Sequence, residues 1–118
     1  MNIERSDKTS HVISDRCMRC YGEQQWYGKN FLLSYLGEKS LNGKKILEIG
    51  CAEAGLLKFF TSEGATCYGV ELSDIRFRNA ILLNKPFFHV VHSWPLLSLK
   101  AGFLITLKSF IIFRFCLP

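Results

Sequence analysis

The sequence predicts an α/β fold, a partial, doubly wound parallel sheet whose first two or three strands carry flanking helices, and three observations support this prediction. A short apolar run, Lys45–Ile49, leads into a turn of small residues. An amphipathic stretch follows from Leu56, and a second apolar run, Thr66–Val70, ends on the acid Glu71. This order of strand, tight turn, helix and strand is that of a β-α-β unit, whose two strands lie parallel in one sheet.

The chain before the first strand divides into two segments. We expect residues 1–19 to form a flexible N-terminus, because its first part is polar and carries charges of both signs. Between residues 20 and 36, aromatic and aliphatic side chains recur at steps of three and four, which predicts a helix whose aromatic side chains lie in the core. Gly37 and Gly43 bracket the connection to the first strand.

Two further helices and a third strand follow from local signals. We expect one helix over residues 54–62, where Gly64 supplies the C-terminal cap, and another over residues 74–83. Pro86 ends the latter, and residues 87–91 are then expected to form the third strand.

Charge separates the last part of the chain from the rest. Residues 1–74 hold nine Lys and Arg against ten Asp and Glu, whereas residues 75–118 hold six Lys and Arg and no acid, so that the net charge of +5 arises entirely there. We expect residues 92–118 to form an irregular or helical, hydrophobic and basic tail. Its cations are scattered among apolar residues, which argues against a nucleic-acid patch.

Two acids near the turn distinguish between possible ligands. Glu48 lies two residues before Gly50, at the carboxyl end of the first strand, and Glu53 lies inside the turn. A dinucleotide places its pyrophosphate at the N-terminus of the first helix, where two carboxylates would repel it. The same carboxylates favour a ligand that carries an ammonium and a sulfonium group, which points to S-adenosylmethionine.

Residues 45–55 resemble the first motif of the class I, Rossmann-like S-adenosylmethionine-dependent methyltransferases, written hydrophobic-(Asp/Glu)-x-Gly-x-Gly-x-Gly. Glu71 resembles the acidic end of that family's second strand, and the likeness extends over residues 41–83. The sequence departs from the family at Ala52 and Ala54, where glycine is usual. Because alanine adopts a positive φ only at a cost, we expect a slightly different or tighter turn.

The resemblance implies a partial cofactor-binding domain over residues 20–91 that uses S-adenosylmethionine to methylate an unidentified acceptor, with a small molecule among the candidates. Glu48 would hold the ammonium of the methionine moiety, Glu71 would bind the ribose hydroxyls, and Leu72 would lie beside the adenine. No catalytic residue and no metal site are assigned. The residues expected to contact the cofactor are Glu48, Gly50, Cys51, Ala52, Gly55, Glu71 and Leu72.

Beyond residue 91 the sequence departs from the family, because no fourth strand with an acid or amide at its end is recognisable. We expect a truncated or frame-shifted family member. In the alternatives, the tail contacts a membrane surface or a partner chain completes the fold. A membrane span is not expected, since Lys100 and Lys108 enclose only seven uncharged residues, whereas a spanning helix needs about 20 apolar ones.

The cysteines argue for a reduced chain. Five cysteines without a regular spacing favour a cytoplasmic protein over a disulfide scaffold. Cys17 and Cys20 form a C-x-x-C pair, but no second pair is spaced to complete a zinc site. Incidental thiols are expected, with a metal or redox pair as the alternative.

The leading function is therefore methyl transfer from S-adenosylmethionine, in a fragment that holds the cofactor half of the site only. The alternative function is not enzymatic: a non-catalytic α/β module that binds a partner or a membrane through its hydrophobic tail. A dinucleotide-dependent enzyme and an ordinary β-α-β unit without ligand remain as further hypotheses.

Overall fold

The computed structural model describes residues 11–37 and 40–92, together with the strand Phe110–Arg114. Helices and strands alternate from the first strand to the third, as the sequence predicts. The elements are α1 (Asp15–Tyr27), a π-helical turn (Gly28–Leu32), α2 (Leu33–Tyr35), β1 (Lys45–Ile49), α3 (Gly55–Ser62), β2 (Thr66–Val70), α4 (Asp74–Asn84), β3 (His89–Val91) and β4 (Phe110–Arg114).

The four strands form one parallel sheet in the order β3-β2-β1-β4. Ile49 at the end of β1 pairs with Val70 of β2 on one side and with Arg114 of β4 on the other, so the carboxyl ends of these strands are level. The chain steps from β1 to β2 and on to β3 in one direction, and right-handed crossovers therefore place α3 and α4 on one face of the sheet. The prediction of an α/β fold with a parallel sheet is confirmed.

The fourth strand comes from a part of the chain for which we expect an irregular or helical tail. Phe110–Arg114 reads Phe-Ile-Ile-Phe-Arg, a run of aromatic and β-branched residues that suits a strand. The expectation of an irregular tail rests on the lack of acidic residues in this part of the chain. A lack of acids is no obstacle to strand pairing, which depends on apolar and β-branched side chains. The rest of the expected tail, residues 93–109 and 115–118, lies outside the described residues.

The first helix begins within the segment that we expect to be flexible up to residue 19. Ser14 caps α1, because its hydroxyl accepts a hydrogen bond from the backbone N–H of Cys17 at 3.2 Å, and Asp15 adds a negative charge to the first turn. Ser14 and Asp15 are the start signal that the expectation overlooks. Residues 1–10 lie outside the described residues.

Several aromatic side chains of this helical segment are exposed, contrary to expectation. Trp26, Phe31 and Tyr35 are largely exposed, and the Phe31 ring contacts both Trp26 and Tyr27. The segment packs on α3 through Gly28, where a Cβ atom would come within 3 Å of two side chains of that helix. The spacing of three and four residues therefore does not distinguish the face of the helical segment that packs on α3 from the face that is exposed.

The described core lies between the sheet and the helical layer, and α3 is largely buried in it. Glycine at position 69 of β2 leaves room for Cys51 and Leu57, since a Cβ atom there would meet their side chains at 2.8 and 3.0 Å. Other buried core residues are Leu41, Ile46, Leu56, Phe59, Phe60, Cys67, Ala80, Phe88 and Val90.

The second half of the unit follows the predicted layout closely. The hydroxyl of Ser73 caps α4 by accepting from the N–H of Arg76 at 3.4 Å, and the helix ends at Asn84, one residue beyond the predicted end. The third strand begins at His89 instead of residue 87, because residues 85–87 form a turn after α4, in which the N–H of Phe87 donates to the carbonyl oxygen of Asn84 at 2.8 Å.

Candidate functional site

The turn between β1 and α3 adopts a backbone conformation that suits glycine. Gly50, Ala52 and Ala54 have φ values of 75°, 52° and 64°. A left-handed conformation costs an alanine roughly 1–2 kcal/mol, because its Cβ approaches the following carbonyl oxygen. Both alanines nevertheless adopt it, so the backbone at these two positions has the left-handed conformation that favours glycine. Backbone strain of this kind is retained where neighbouring groups hold it in place.

Backbone hydrogen bonds fix the turn to the ends of both strands. The N–H groups of Gly50 and Cys51 donate to the carbonyl oxygen of Val70 at 2.8 and 3.1 Å, and the N–H of Ala54 donates to that of Cys51 at 2.8 Å. The position of the turn therefore follows from the level carboxyl ends of β1 and β2.

Glu48 is the unusual residue of the site. It lies in β1 with no exposed surface, and neither of its carboxyl oxygens has a hydrogen-bond partner among the described residues. Burial raises the pKa of this carboxyl well above its ordinary value, and the charge of Glu71 raises it further. Since burying an unpaired carboxylate costs several kcal/mol, this position favours either a retained proton or a bound cation.

Glu71 follows β2 and is held by backbone donors. Its Oε1 accepts a hydrogen bond from the N–H of Ala52 at 2.7 Å, and its Oε2 accepts from the N–H of Ser73 at 2.9 Å. Each carboxylate oxygen has a further lone pair, so the group retains acceptor capacity for ligand hydroxyls. Leu72, the next residue, is 75% exposed and offers an apolar side chain beside it.

The N-terminus of α3 is covered by α1. The side-chain oxygen of Gln24 accepts a hydrogen bond from the N–H of Gly55 at 2.8 Å. A Cβ atom on Gly55 would collide with the backbone carbonyl oxygen of Tyr21, so glycine permits this approach of the two helices. The structure thus packs Gly55 against α1, and the N–H that would meet a pyrophosphate at this residue is already bonded.

Glu53 faces α4. Its Oε2 accepts from the side-chain amide of Asn79 at 3.2 Å, and its Oε1 lies 3.7 Å from the guanidinium of Arg76. Its backbone carbonyl oxygen accepts a hydrogen bond from the side-chain amide of Asn84 at 2.9 Å. From the sequence we expect Glu53 to face the ligand as a second carboxylate, whereas in the structure its partners are Asn79 and Arg76 of α4.

The structure brings most of the predicted site residues together around the carboxyl ends of β1 and β2, namely Glu48, Gly50, Cys51, Ala52, Glu71 and Leu72. Gly55 packs against α1 instead. Three further residues that the sequence does not predict support the turn. Gln24 of α1 bonds to Gly55, Asn84 of α4 bonds to Glu53, and Tyr21 of α1 bonds to Asn84. No local pattern identifies them, because helix packing brings them to the turn.

The thiol nearest the site is not activated. Cys51 is buried, and burial followed by the charges of Glu48 and Glu71 raises its pKa, so the sulfur stays protonated at neutral pH. Burial likewise raises the pKa of Cys20. Cys17 and Cys20 are both free thiols and partly exposed.

His92 follows β3 and contacts residues of α4. The imidazole Nε2 of His92 lies 3.0 Å from Asp74 Oδ1, and its ring packs on Phe77 at a centroid distance of 4.4 Å, which is a structural role. Within residues 11–37 and 40–92, no three or more His, Cys, Asp or Glu side chains cluster as metal ligands. In the same residues no helix has the length and apolar character needed to cross a membrane.

Comparison with known proteins yields weak structural likeness. No family model matches the sequence, and no curated protein matches it. Among solved structures, YjhP from E. coli aligns with 75% of this chain at 16% identity and a TM-score of 0.44. The bifunctional kinase-methyltransferase WbdD aligns with 76% at 18% identity and a TM-score of 0.37. The alignments span 34% of the YjhP chain and 19% of the WbdD chain, and likeness at this level carries no argument about function.

Proposed function

We propose that this chain binds S-adenosylmethionine at the carboxyl ends of β1 and β2 and forms the cofactor-binding part of a methyltransferase. The observation that carries the proposal is Glu48, a fully buried carboxyl without a hydrogen-bond partner among the described residues. Buried polar groups in native proteins are nearly always paired, and an orphan two residues before a strained turn suggests a missing ligand group.

The acidic nature of the unpaired Glu48 carboxyl favours a ligand that carries a cation. An ammonium group beside Glu48 would let the carboxyl ionise, and the interaction of opposite charges is strong where water is largely excluded. The amino acid end of S-adenosylmethionine supplies such an ammonium. A metal ion is a poorer fit, because residues 40–92 bring no set of three ligating side chains together around Glu48.

The second strand end suits the nucleoside part of the same ligand. Glu71 is fixed by two backbone N–H donors and still has lone pairs for the ribose hydroxyls. The exposed side chain of Leu72 follows it, where an adenine ring would find an apolar surface. The left-handed backbone at Gly50 and Ala52, with Cys51 between them, would then lie along the cofactor.

A dinucleotide fits less well. Its pyrophosphate needs free N–H groups at the N-terminus of α3, and Gln24 already accepts from the N–H of Gly55. A diphosphate would also bring no cation to Glu48 and would leave its buried carboxyl unpaired.

S-adenosylmethionine supplies a methyl group that is already activated by the sulfonium. The residues of this chain would bind and orient that donor, and orientation is a large part of what such a transfer needs. Cofactor binding is the first property to test.

The test is isothermal titration calorimetry of the full chain with S-adenosylhomocysteine, which retains the ammonium, the ribose and the adenine. We expect saturable binding by the natural chain. The variants Glu48→Gln and Glu71→Gln should each weaken it about tenfold or more, which corresponds to about 1.4 kcal/mol or more.

The matched control is Glu63→Gln, which makes the same substitution at an exposed residue beyond the end of α3. It should bind as the natural chain does. NAD titrated in parallel serves as the competing ligand. Tighter binding of NAD, or equal affinities of the natural chain and all three variants, would refute the proposal.

A further inference from the structure

The side chain of Asn84 bridges α4 to the turn. Asn84 is 1% exposed, and its amide nitrogen donates to the carbonyl oxygen of Glu53 at 2.9 Å and to that of Ala80 at 2.8 Å. Its amide oxygen accepts from the hydroxyl of Tyr21 at 2.6 Å. Both amide hydrogens and the oxygen are therefore engaged, and α1, α4 and the turn meet at one side chain.

The carbonyl oxygens of Glu53 and Ala80 determine which way the amide of Asn84 faces, because a carbonyl oxygen only accepts and the amide nitrogen must point toward both. The amide oxygen then faces Tyr21, whose hydroxyl donates to it and holds the amide in this orientation. Burial raises the pKa of Tyr21 to about 12, so the hydroxyl keeps its proton at neutral pH.

The bridged peptide is in strained surroundings. Glu53 lies between Ala52 and Ala54, whose φ values are both positive. Such a conformation persists only where the surroundings determine it. Glu71 holds the N–H of Ala52, and Asn84 holds the carbonyl of Glu53 in the middle of the turn.

We propose that Asn84, held in place by Tyr21, is a positioning residue that keeps the ligand-binding turn in its left-handed conformation. Its effect on the backbone is independent of any ligand, whereas its effect on binding rests on the function proposed above. Neither residue is among the proposed cofactor contacts, so their loss should loosen the turn without removing a ligand group.

The test is amide hydrogen exchange of the full chain with the variant Tyr21→Phe, which removes only the hydroxyl. Loss of one hydrogen bond should speed exchange at the amides of residues 52–55 by about two- to tenfold, because their local opening becomes easier. Exchange in β1 and β2 should stay unchanged. Tyr35→Phe is the matched control, since it removes the same atom from an exposed tyrosine of the same helical segment.

Asn84→Ala is the second variant, and it should produce a larger acceleration at the same amides. If it fails to fold, Tyr21→Phe still decides the question. Unchanged exchange at residues 52–55 in Tyr21→Phe, or an equal acceleration throughout the chain, would overturn the proposal.

Titration of the same variants with S-adenosylhomocysteine separates the two proposals. The affinity of Tyr21→Phe for S-adenosylhomocysteine should fall by no more than the factor by which exchange at residues 52–55 rises. The reason is that the ligand binds only the ordered turn, whose population the substitution lowers. A natural chain that does not bind S-adenosylhomocysteine refutes the proposed function, while the exchange result still confirms or refutes the role of Asn84.

Discussion

The carboxylate of Glu71 accepts a 2.7 Å hydrogen bond from the backbone N–H of Ala52, 19 residues earlier in the chain. This bond joins the end of β2 to the first left-handed alanine of the turn after β1. An acid that is proposed to bind ribose therefore also maintains the backbone of its own site. Glu48, in contrast, has no hydrogen-bond partner among the described residues. The two acids should consequently affect stability in opposite directions.

Replacement of Glu71 by alanine should destabilise the protein. The substitution leaves the N–H of Ala52 without its partner inside the protein, and a buried donor without a partner costs about 1–3 kcal/mol. Chemical denaturation of Glu71→Ala beside Glu63→Ala measures the difference. An equal free energy of unfolding for the two variants would mean that the bond to Ala52 contributes nothing.

Replacement of Glu48 by methionine should stabilise the protein while abolishing binding of S-adenosylhomocysteine. Methionine has nearly the same length and removes a buried polar group that the described residues leave unpaired. The gain should be about 1–3 kcal/mol in the free energy of unfolding. Sites that bind ligands commonly sacrifice stability in this way. Denaturation and calorimetry on one preparation test both halves, and a destabilised Glu48→Met that still binds would contradict them.

The pH dependence of stability should carry the signature of Glu48. Its pKa in the folded protein lies well above the ordinary 4.5, because of burial and then the charge of Glu71. The folded state therefore binds the Glu48 proton more tightly than the unfolded state does. The stability that this proton provides is fully present below pH 4.5 and is lost as the pH rises through the raised pKa, at up to about 1.4 kcal/mol per pH unit. The difference in unfolding free energy between Glu48→Met and the natural chain should thus grow with pH. A difference that stays constant would show that Glu48 does not titrate abnormally.

Ligand binding should have the opposite dependence on pH. An ammonium favours the ionised carboxyl, so binding expels the proton that free Glu48 retains, and affinity should rise by up to about tenfold per pH unit below the raised pKa. Titrations with S-adenosylhomocysteine at several pH values, in buffers of different ionisation enthalpy, would detect the released proton. The variant Glu48→Gln provides the control, since whatever residual affinity it has should not follow this dependence.

The parts of this site that the sequence predicts are those encoded within one β-α-β unit. Strand periodicity places Glu48 near the end of β1, and the second apolar run places Glu71 after β2, so their proximity follows from parallel pairing alone. The direction of Glu53 depends on its partners in α4, and the cover over Gly55 depends on Gln24 of α1. These contacts arise from how helices pack across the chain, which periodicity and spacing do not specify.

The fourth strand is not predicted because its pairing also joins distant parts of the chain. Phe110–Arg114 has the composition of a strand, but its neighbour in the sheet is β1, far earlier in the chain. Acid content and family motifs are poor guides there, because strand pairing depends on apolar and β-branched side chains. Local composition is the better criterion for this segment.

Two glycines of opposite environment provide a direct test of the packing around the site. A Cβ atom on Gly69 would come within 2.8 Å of the Cys51 sulfur and 3.0 Å of Leu57, whereas one on Gly22, inside α1, would meet nothing within 4 Å. Gly69→Ala should therefore destabilise the protein by about 1–3 kcal/mol through overpacking. Gly22→Ala should stabilise it by up to about 1 kcal/mol, because alanine restricts the unfolded chain and favours the helix. Denaturant midpoints of the two variants measure the contrast, and a loss of stability in Gly22→Ala comparable to that in Gly69→Ala would contradict the open surroundings of Gly22.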